Sequence, residues 1–280
     1  MENNLKSRKT KDILLISLVY LSAIITVGLL LVIVGFIFIK GIGKINLSFL
    51  FADYSASGNG GILPMIITTV YMVLVAILVA TPIGILAAVY LQEYAKQGRL
   101  VRIIRYSTEA LAGIPSIVYG LFGAAFFVTT LKFGYSLIAG SLTLAIIILP
   151  VIIRTTEEAL KVVPPSYREA SLGLGATRFQ TLYKVILPSA IPGILSGVIL
   201  SMGRVIGESA ALFLTAGTVY KIPTSIMSSG RTLTVHAFLE TKEKGDIASA
   251  AAAGIVLIVM IFILNLLAKF VSKKFNKANY

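Results

Sequence analysis

The sequence of 280 residues contains no cysteine, no tryptophan, one histidine and only 12 acidic residues. Without cysteine, the chain forms no disulfide, thiolate metal site, thiol nucleophile or lipid-modified cysteine anchor. The single histidine, His236, is not accompanied by the G-x-S-x-G elbow of a hydrolase, and we expect neither a metal nor a catalytic role for it. The sequence therefore argues against an enzyme that uses sulfur chemistry or a Ser-His triad.

Charge is scarce as well. Charged residues make up 13% of the chain and hydrophobic residues 57%, whereas ordinary globular proteins carry about 25% charged residues. A single soluble core could not hold so much apolar material and leave a wettable surface. A bilayer core of about 30 Å requires roughly 20 apolar residues per helix, and six such runs predict an all-α integral membrane protein with six transmembrane helices. The predicted spans are residues 13–39, 62–91, 110–131, 137–153, 189–216 and 247–268.

Positive charge is distributed unevenly along these spans. Roughly two thirds of the Lys and Arg residues lie in the two termini and in the second-to-third and fourth-to-fifth connections. The positive-inside rule then places both termini and these two connections in the cytoplasm. The net charge of +13 is therefore interpreted as a topology signal that also suits anionic lipid, not as a nucleic-acid surface.

The chain is predicted to have three parts. Residues 1–61 comprise a cytoplasmic tail, the first transmembrane helix and an outer loop, whose Gly- and Ser-rich end at 55–61 predicts a flexible connection. Residues 62–270 form a core of five helices, and residues 271–280 form a second cytoplasmic tail. The outer stretch 217–246 mixes apolar and charged residues, and we expect it to pack against the mouth of the bundle.

The cytoplasmic connection at residues 155–187 has strong local helix signals. Ser166 and Glu169 have the S-x-x-E spacing of a capping box, and Thr177 and Gln180 have the equivalent T-x-x-Q spacing. Gly173 and Gly175 lie between the two boxes. The sequence therefore predicts helix, glycine turn and second helix, ended or kinked by Pro188 at the membrane surface. The neighbouring acids Glu157 and Glu158 are interpreted as a solvated helix end.

The same connection carries a family pattern. Glu169-Ala170-Ser171, Gly175 and Leu187-Pro188 resemble the EAA loop of bacterial ABC importer permeases, E-A-A-x3-G-x9-I-x-L-P, with Ser171 and Val185 as conservative departures. The resemblance implies a type I ABC importer permease fold in which these residues form a cytoplasmic coupling helix against a separate ATPase subunit. The alternative is an amphipathic interfacial linker without a partner.

The energy source is expected to lie outside this chain. Its sequence has no G-x-x-x-x-G-K-[ST] phosphate loop, so we expect no bound cofactor here and no ATPase site. ATP and Mg²⁺ would be used by the partner subunit.

Two charges lie inside the predicted fifth span. An arginine such as Arg204 costs roughly 2.5 to 3.5 kcal/mol near the centre of a membrane helix. Glu208, four residues on, would share its helix face and could form a local ion pair with Arg204. Because replacing a buried pair with apolar residues is often no less stable, we favour a functional site. A guanidinium offers bidentate donors to phosphate oxygens, and Glu208 would pair with Arg204 when no anion is bound or accept from a protonated oxyanion.

The residues around Arg204 match a second family pattern. Gly203-Arg204-Val-Ile-Gly207-Glu208-Ser209 resembles the G-R-x-x-G-E-[ST] signature of the phosphate-specific permeases PstA and PstC, and residues 114–123 resemble their I-P-S-x-x-Y-G segment. The resemblance implies substrate binding by Arg204, Glu208, Ser116 and Ser209. The residues around 222–236 and 248–253 are more similar to PstA than to PstC. Taken alone, Pro115-Ser116 within a span would more often be only a kink.

The resemblance implies a subunit of an ATP-driven importer of inorganic phosphate in the bacterial plasma membrane. The implied partners are a homologous second permease, two ATP-binding subunits and an extracytoplasmic phosphate-binding protein. Two alternatives remain open: an importer permease for another oxyanion or solute, and a secondary transporter that needs no ATPase.

Overall fold

The computed structural model describes residues 2–55 and 60–277, and the side chains of residues 12–55 and 60–270. The centre of the predicted flexible connection, residues 56–59, lies outside the described residues, as do the side chains of the predicted C-terminal tail. The helices of the described part are α1 (Glu2–Gly41), α2 (Leu47–Phe51), α3 (Leu63–Val89), α4 (Arg99–Ala112), α5 (Ser116–Gly123), α6 (Leu137–Val162), α7 (Pro165–Gly173), α8 (Arg178–Thr181), α9 (Leu187–Ile206), α10 (Ala210–Thr215), α11 (Leu233–Lys244) and α12 (Ile247–Lys277).

Wider and tighter turns extend several of these helices. A 3₁₀ turn at Ile42–Lys44 follows α1, and π-helical turns at Tyr90–Tyr94 and Ala124–Thr130 continue α3 and α5. A further π turn, Leu182–Ile186, joins α8 to α9, so the chain runs as one helical segment from Arg178 to Ile206. Pro188 was expected to end or kink this segment. The widened turn just before it relieves the clash between its ring and the preceding carbonyls, and the helix continues.

Five segments of the described chain are long and apolar enough to span a membrane, and α4 with α5 makes a sixth if the bent pair is one span. The predicted all-helical fold with six spans is confirmed. Two predicted spans are not straight, however. The third, predicted at 110–131, consists of α4 and α5 bent by 99°. The fifth, predicted at 189–216, is interrupted between α9 and α10.

The central helix of the bundle is α6, which packs against α3 and α9. Its inward residues Leu144, Ile148 and Ile152 are completely buried. Small residues on the neighbouring helices allow close approach: a Cβ on Gly84 of α3 would lie 2.6 Å from Ile152, and one on Gly197 of α9 would lie 2.0 Å from Thr155. Such contacts between backbone and side chain fix the positions of the helices without requiring a hydrophobic driving force within the membrane.

α6 also continues further than predicted. It ends at Val162, not at 153, so the first residues of the predicted connection at 155–187 belong to the bundle. Thr156, Glu157 and Leu160 are buried there. The connection proper therefore begins at Val163 and is shorter than the sequence indicated.

The first helix lies at the edge of the molecule. α1 contacts α12, and most of its apolar residues between Ile13 and Ile39 are exposed in the isolated chain, as expected for a helix surrounded by lipid.

The predicted packing of stretch 217–246 on the bundle is observed, because α11 contacts α12 and the start of α3. The Tyr54 hydroxyl donates to Glu240 Oε1 (3.0 Å), and Lys244 bonds both residues. These contacts attach the linker after α1 to α11. Burial lowers the pKa of the neighbouring His236 to about 4, so this side chain is uncharged at neutral pH.

The close contact between α6 and α9 predicts a position-specific effect on stability. Gly197→Ala should lower the free energy of unfolding by about 1–3 kcal/mol, because the added methyl overlaps Thr155, which is itself bonded to the Val151 carbonyl. The matched control is Gly203→Ala on the same helix, where no atom lies within 4 Å of the added Cβ. That change should leave stability unchanged or raised, because alanine favours helix. Thermal unfolding of the detergent-purified chain measures both, and equal midpoints for the two variants would show that the α6–α9 contact is not tightly packed.

Candidate functional site

The break between α9 and α10 is the centre of the candidate site. α9 ends at Ile206, and the backbone N–H groups of Gly207 and Glu208 still bond back to Gly203 (3.3 Å) and Val205 (3.1 Å). The chain then turns, and α10 begins at Ala210. The Thr234 hydroxyl donates to the Glu208 carbonyl at 2.7 Å, so α11 satisfies one of the backbone groups that the break exposes.

This break overturns the expected geometry of the two intramembrane charges. Glu208 lies beyond the end of α9 and therefore does not share a helix face with Arg204. Its carboxylate Oε1 instead accepts a bond from the backbone N–H of Ala211 at 3.2 Å, at the start of α10. Arg204 and Glu208 form no ion pair in the described part of the chain. The prediction that the two side chains pair when no anion is bound is therefore wrong for this structure.

Arg204 is half-buried on the last turn of α9. Among the residues whose side chains the structure describes, it forms no hydrogen bond and no ion pair. Its charge lies within electrostatic range of the Tyr119 hydroxyl on α5. The guanidinium donors are therefore available to an anion beside α5.

α5 reaches this position because its own helix pair is broken as well. Pro115 precedes α5 at the 99° bend, and the Tyr119 hydroxyl donates to the Leu111 carbonyl (2.7 Å) at the end of α4. Gly120 lets α5 approach α10 closely, since a Cβ there would lie 2.8 Å from the Ala211 Cα. The first phosphate-permease pattern, 114–123, therefore packs against α10, the helix that directly follows the second pattern, 203–209.

The two serines of the predicted site flank the breaks. Ser116 is the first residue of α5, directly after the 99° bend, so the kink expected at Pro115-Ser116 is observed. Ser209 lies between α9 and α10, and both serines are half-buried. Tyr119 received no role in the sequence analysis, although it lies within the quoted I-P-S-x-x-Y-G segment. Thr234 could not have been found from sequence, because its contact with Glu208 spans 26 residues.

The EAA residues lie at the other end of α6. α7 contains Glu169, Ala170 and Ser171, of which Glu169 and Ala170 are exposed. Ser171 Oγ and Thr181 Oγ1 are 2.9 Å apart, which joins α7 to α8. Gly175 takes a left-handed φ of +86° between the two helices, a conformation that favours glycine. Leu187 and Pro188 form the first turn of α9.

The two predicted capping boxes have different outcomes. The box at Thr177 and Gln180 is confirmed: the Thr177 hydroxyl accepts from the Gln180 N–H (3.2 Å), and the Gln180 side chain accepts from the Thr177 N–H (2.9 Å). The box at Ser166 is wrong, because α7 begins one residue earlier at Pro165 and has no side-chain cap. Proline at the first position lacks one of the N–H groups that a cap would satisfy.

The interpretation of Glu157 and Glu158 as solvated is half wrong. Glu158 is exposed and pairs with Lys161, but Glu157 has a side chain only 7% exposed and accepts from Arg105 Nε at 3.2 Å. Arg105 lies 52 residues away in the chain, which is why the sequence did not indicate the pair.

Comparison with known proteins supports the fold and the family. A family model described as "Binding-protein-dependent transport system inner membrane component" matches residues 80–277. The probable ABC transporter permease protein YqgI of Bacillus subtilis is 35% identical over 280 residues, covering 94% of this chain and 95% of that protein. The phosphate transport system permease protein PstA of Pasteurella multocida is 40% identical over 210 residues, 75% of each chain.

Solved structures agree at the level of fold. A bacterial ABC transporter involved in the import of the acidic polysaccharide alginate matches with a TM-score of 0.64 at 17% identity, covering 95% of this chain and 99% of that one. An inward-facing form of the MetNI methionine ABC transporter matches with a TM-score of 0.61 at 19% identity, covering 74% of this chain and 93% of that one. The predicted type I importer permease fold and the resemblance to phosphate-specific permeases are both confirmed. The chain therefore belongs to the binding-protein-dependent ABC importer permeases, and within them to the group that contains the PstA phosphate transport permeases.

Proposed function

We propose that this chain forms half of the translocation path of an ATP-driven importer of inorganic phosphate. The observation that carries the proposal is the guanidinium of Arg204, which lies unpaired among the described side chains at a helix break and within electrostatic range of Tyr119 on α5. Planar donor groups of this kind bind phosphate oxygens in a bidentate manner, and broken helices within a membrane are typical of transporter substrate sites. Ser116 and Ser209 flank the two breaks and would supply hydroxyl groups, and the Glu208 carboxylate would accept from a protonated phosphate.

The partners are proposed from the exposed surfaces. α7 presents Glu169 at the basic end of the bundle, and this helix would dock on one of two ATP-binding subunits, which bind and hydrolyse ATP with Mg²⁺. The excess of Lys and Arg at that end supports our proposal that it lies with both termini in the cytoplasm of a bacterial cell. At the opposite end, around α11, an extracytoplasmic phosphate-binding protein would deliver the substrate.

The second permease is proposed to cover a groove between α6 and α9. This groove has a volume of about 570 Å³ and is lined mainly by small and apolar residues, including Ala159, Gly193 and Leu200. Leu200 is 64% exposed in the isolated chain. A homologous chain would bury this surface and complete the path around Arg204.

Removing the charge of Arg204 should abolish transport without preventing assembly. In cells that lack their own high-affinity system and express this chain with its neighbouring genes, Arg204→Ala should reduce labelled phosphate uptake at least tenfold. This follows because charge-assisted hydrogen bonds contribute about 1.5–3 kcal/mol each. Arg204→Lys keeps the charge but loses the bidentate geometry and should be intermediate. The matched control is Arg99→Ala, an exposed arginine at the first residue of α4, which should transport normally.

Sulfate and molybdate serve as competitors in the same experiment. Uptake by the unchanged chain should resist both. Uptake that either oxyanion suppresses would assign another substrate, and normal uptake by an assembled Arg204→Ala complex would remove Arg204 from the mechanism.

Reversing one charge on α7 should separate the chain from its ATPase. Glu169→Lys should reduce the amount of ATPase subunit that co-purifies, because it places a cation on the exposed docking face. Glu243→Lys on α11 makes the same charge change at an exposed position at the other end of the bundle and should have no effect. Equal recovery of an ATPase with both variants, or uptake that needs no ATPase, would favour a secondary transporter.

A further inference from the structure

Side chains from three other helices, α4, α6 and α7, join in hydrogen bonds and ion pairs around the π-helical turn that follows α3. In this turn, Tyr90–Tyr94, the Ala95 N–H bonds back to Tyr90 at 2.9 Å. The Leu91 carbonyl is left for side chains and accepts from Gln97 Nε2 at 3.2 Å and Arg105 at 3.4 Å. Single π turns within helices are frequent at functional sites.

From one side, Arg105 of α4 holds this turn. Besides the Leu91 carbonyl, its guanidinium donates to the side chains of Gln92 (3.3 Å) and Gln97 (3.0 Å). Its Nε donates to Glu157 of α6, the carboxylate that is 7% exposed. One guanidinium thus ties α4 and α6 to the end of α3.

From the other side, Arg168 of α7 holds the same turn. Its guanidinium bonds Glu93 Oε1 at 2.5 Å and the Leu160 carbonyl at 3.4 Å. The side chains of Arg168 and Glu93 are 29% and 17% exposed. The exposed helix α7 therefore contacts the bundle through a partly buried ion pair, adjacent to the Glu169 that presents it to a partner.

We propose that Glu93, Arg105, Glu157 and Arg168, here called the charge network, transmit displacement of α7 to α4 and so to the substrate site. The inference rests on the proposed function, because it requires an ATPase to move α7. The network binds α7, the end of α3 and α4 together. α4 continues through the 99° bend into α5, whose Tyr119 lies within electrostatic range of Arg204.

The burial of the charge network favours such a role over simple stabilisation. Desolvating ion pairs is costly, and apolar residues of similar size would often hold the helices as well. Charge-assisted hydrogen bonds have stricter geometry than apolar contacts, so they oppose sliding between the helices they join. Arg168 and Glu93 are therefore positioning residues, which contact no substrate.

The pair is tested in the complete importer reconstituted in proteoliposomes, with ATP hydrolysis and phosphate uptake measured together. Glu93→Gln and Arg168→Gln should each lower the phosphate imported per ATP hydrolysed by about fivefold or more, while hydrolysis continues. The double variant should be no worse than either single variant, because the two residues act as one unit. Arg168→Lys, which keeps the ion pair, should recover most of the ratio.

The matched control is Lys161→Gln. It removes one positive charge from the same end of the bundle, as Arg168→Gln does, but Lys161 is exposed and pairs with Glu158 of its own helix. The ratio of uptake to hydrolysis should stay at its original value in this control. An unchanged ratio in Glu93→Gln and Arg168→Gln would overturn the proposal.

A second readout does not depend on the identity of the substrate. The chain has no native cysteine, so spin labels can be placed at Ser107→Cys on α4 and Phe262→Cys on α12, both exposed positions. Trapping the complex with ATP and vanadate should change the distance between the labels, and Glu93→Gln should abolish the change. If the distance change is present and sensitive to Glu93→Gln but no phosphate is imported, the proposed substrate fails and the charge network stands. If α4 does not respond to nucleotide, or if Glu93→Gln responds as fully as the unchanged chain, the charge network does not transmit movement.

Discussion

Hydrocarbon offers no hydrogen-bond partner, so each interruption of a membrane helix has to be satisfied by groups of the protein itself. The two breaks in this chain meet that requirement with single side chains: the Tyr119 hydroxyl bonds the Leu111 carbonyl, and the Thr234 hydroxyl bonds the Glu208 carbonyl. Both bonds also fix the direction in which the chain continues. As a result α5 lies against α10, and the half-buried Arg204 lies within electrostatic range of Tyr119 on α5. The candidate site can form because these two hydrogen bonds stabilise the helix breaks within the membrane.

The rest of the bundle is built to keep these breaks in place while one end remains accessible to partners. Close contacts at Gly84, Gly123 and Gly197 leave little freedom between α6 and its neighbours. At the end that carries α7, the contacts change from apolar packing to the charge network. A chain with few charged residues thus places partly buried ion pairs where the exposed helix α7 joins the bundle. In the proposed mechanism, these pairs connect the closely packed bundle to the helix that the ATPase subunit moves.

Sequence alone correctly predicted the features that depend on the average hydropathy of a segment or on residues close together in the chain. Helix length and hydropathy were sufficient for the spans, and the box at Thr177 was correct because its partner is three residues away. The failures have two physical causes: an apolar sequence is compatible with both continuous and broken helix, and a partner on a distant helix leaves no local signal. Assuming continuity placed Glu208 beside Arg204, whereas the structure ends the helix at Ile206. Glu157 was misjudged because its partner Arg105 comes from a distant helix.

Whether an anion rests beside Arg204 can be measured most directly with one thiol. Because this chain has no native cysteine, Ser209→Cys introduces its one target for a water-soluble thiol reagent at the break between α9 and α10, and labelling of this chain can be followed in the assembled importer. Phosphate delivered by its binding protein should slow the modification of cysteine at this position at least fivefold, which corresponds to a free-energy difference of roughly 1 kcal/mol. This protection should vanish when Arg204→Ala is added. A modification rate that phosphate leaves unchanged, or protection that persists without Arg204, would contradict an anion site at this break.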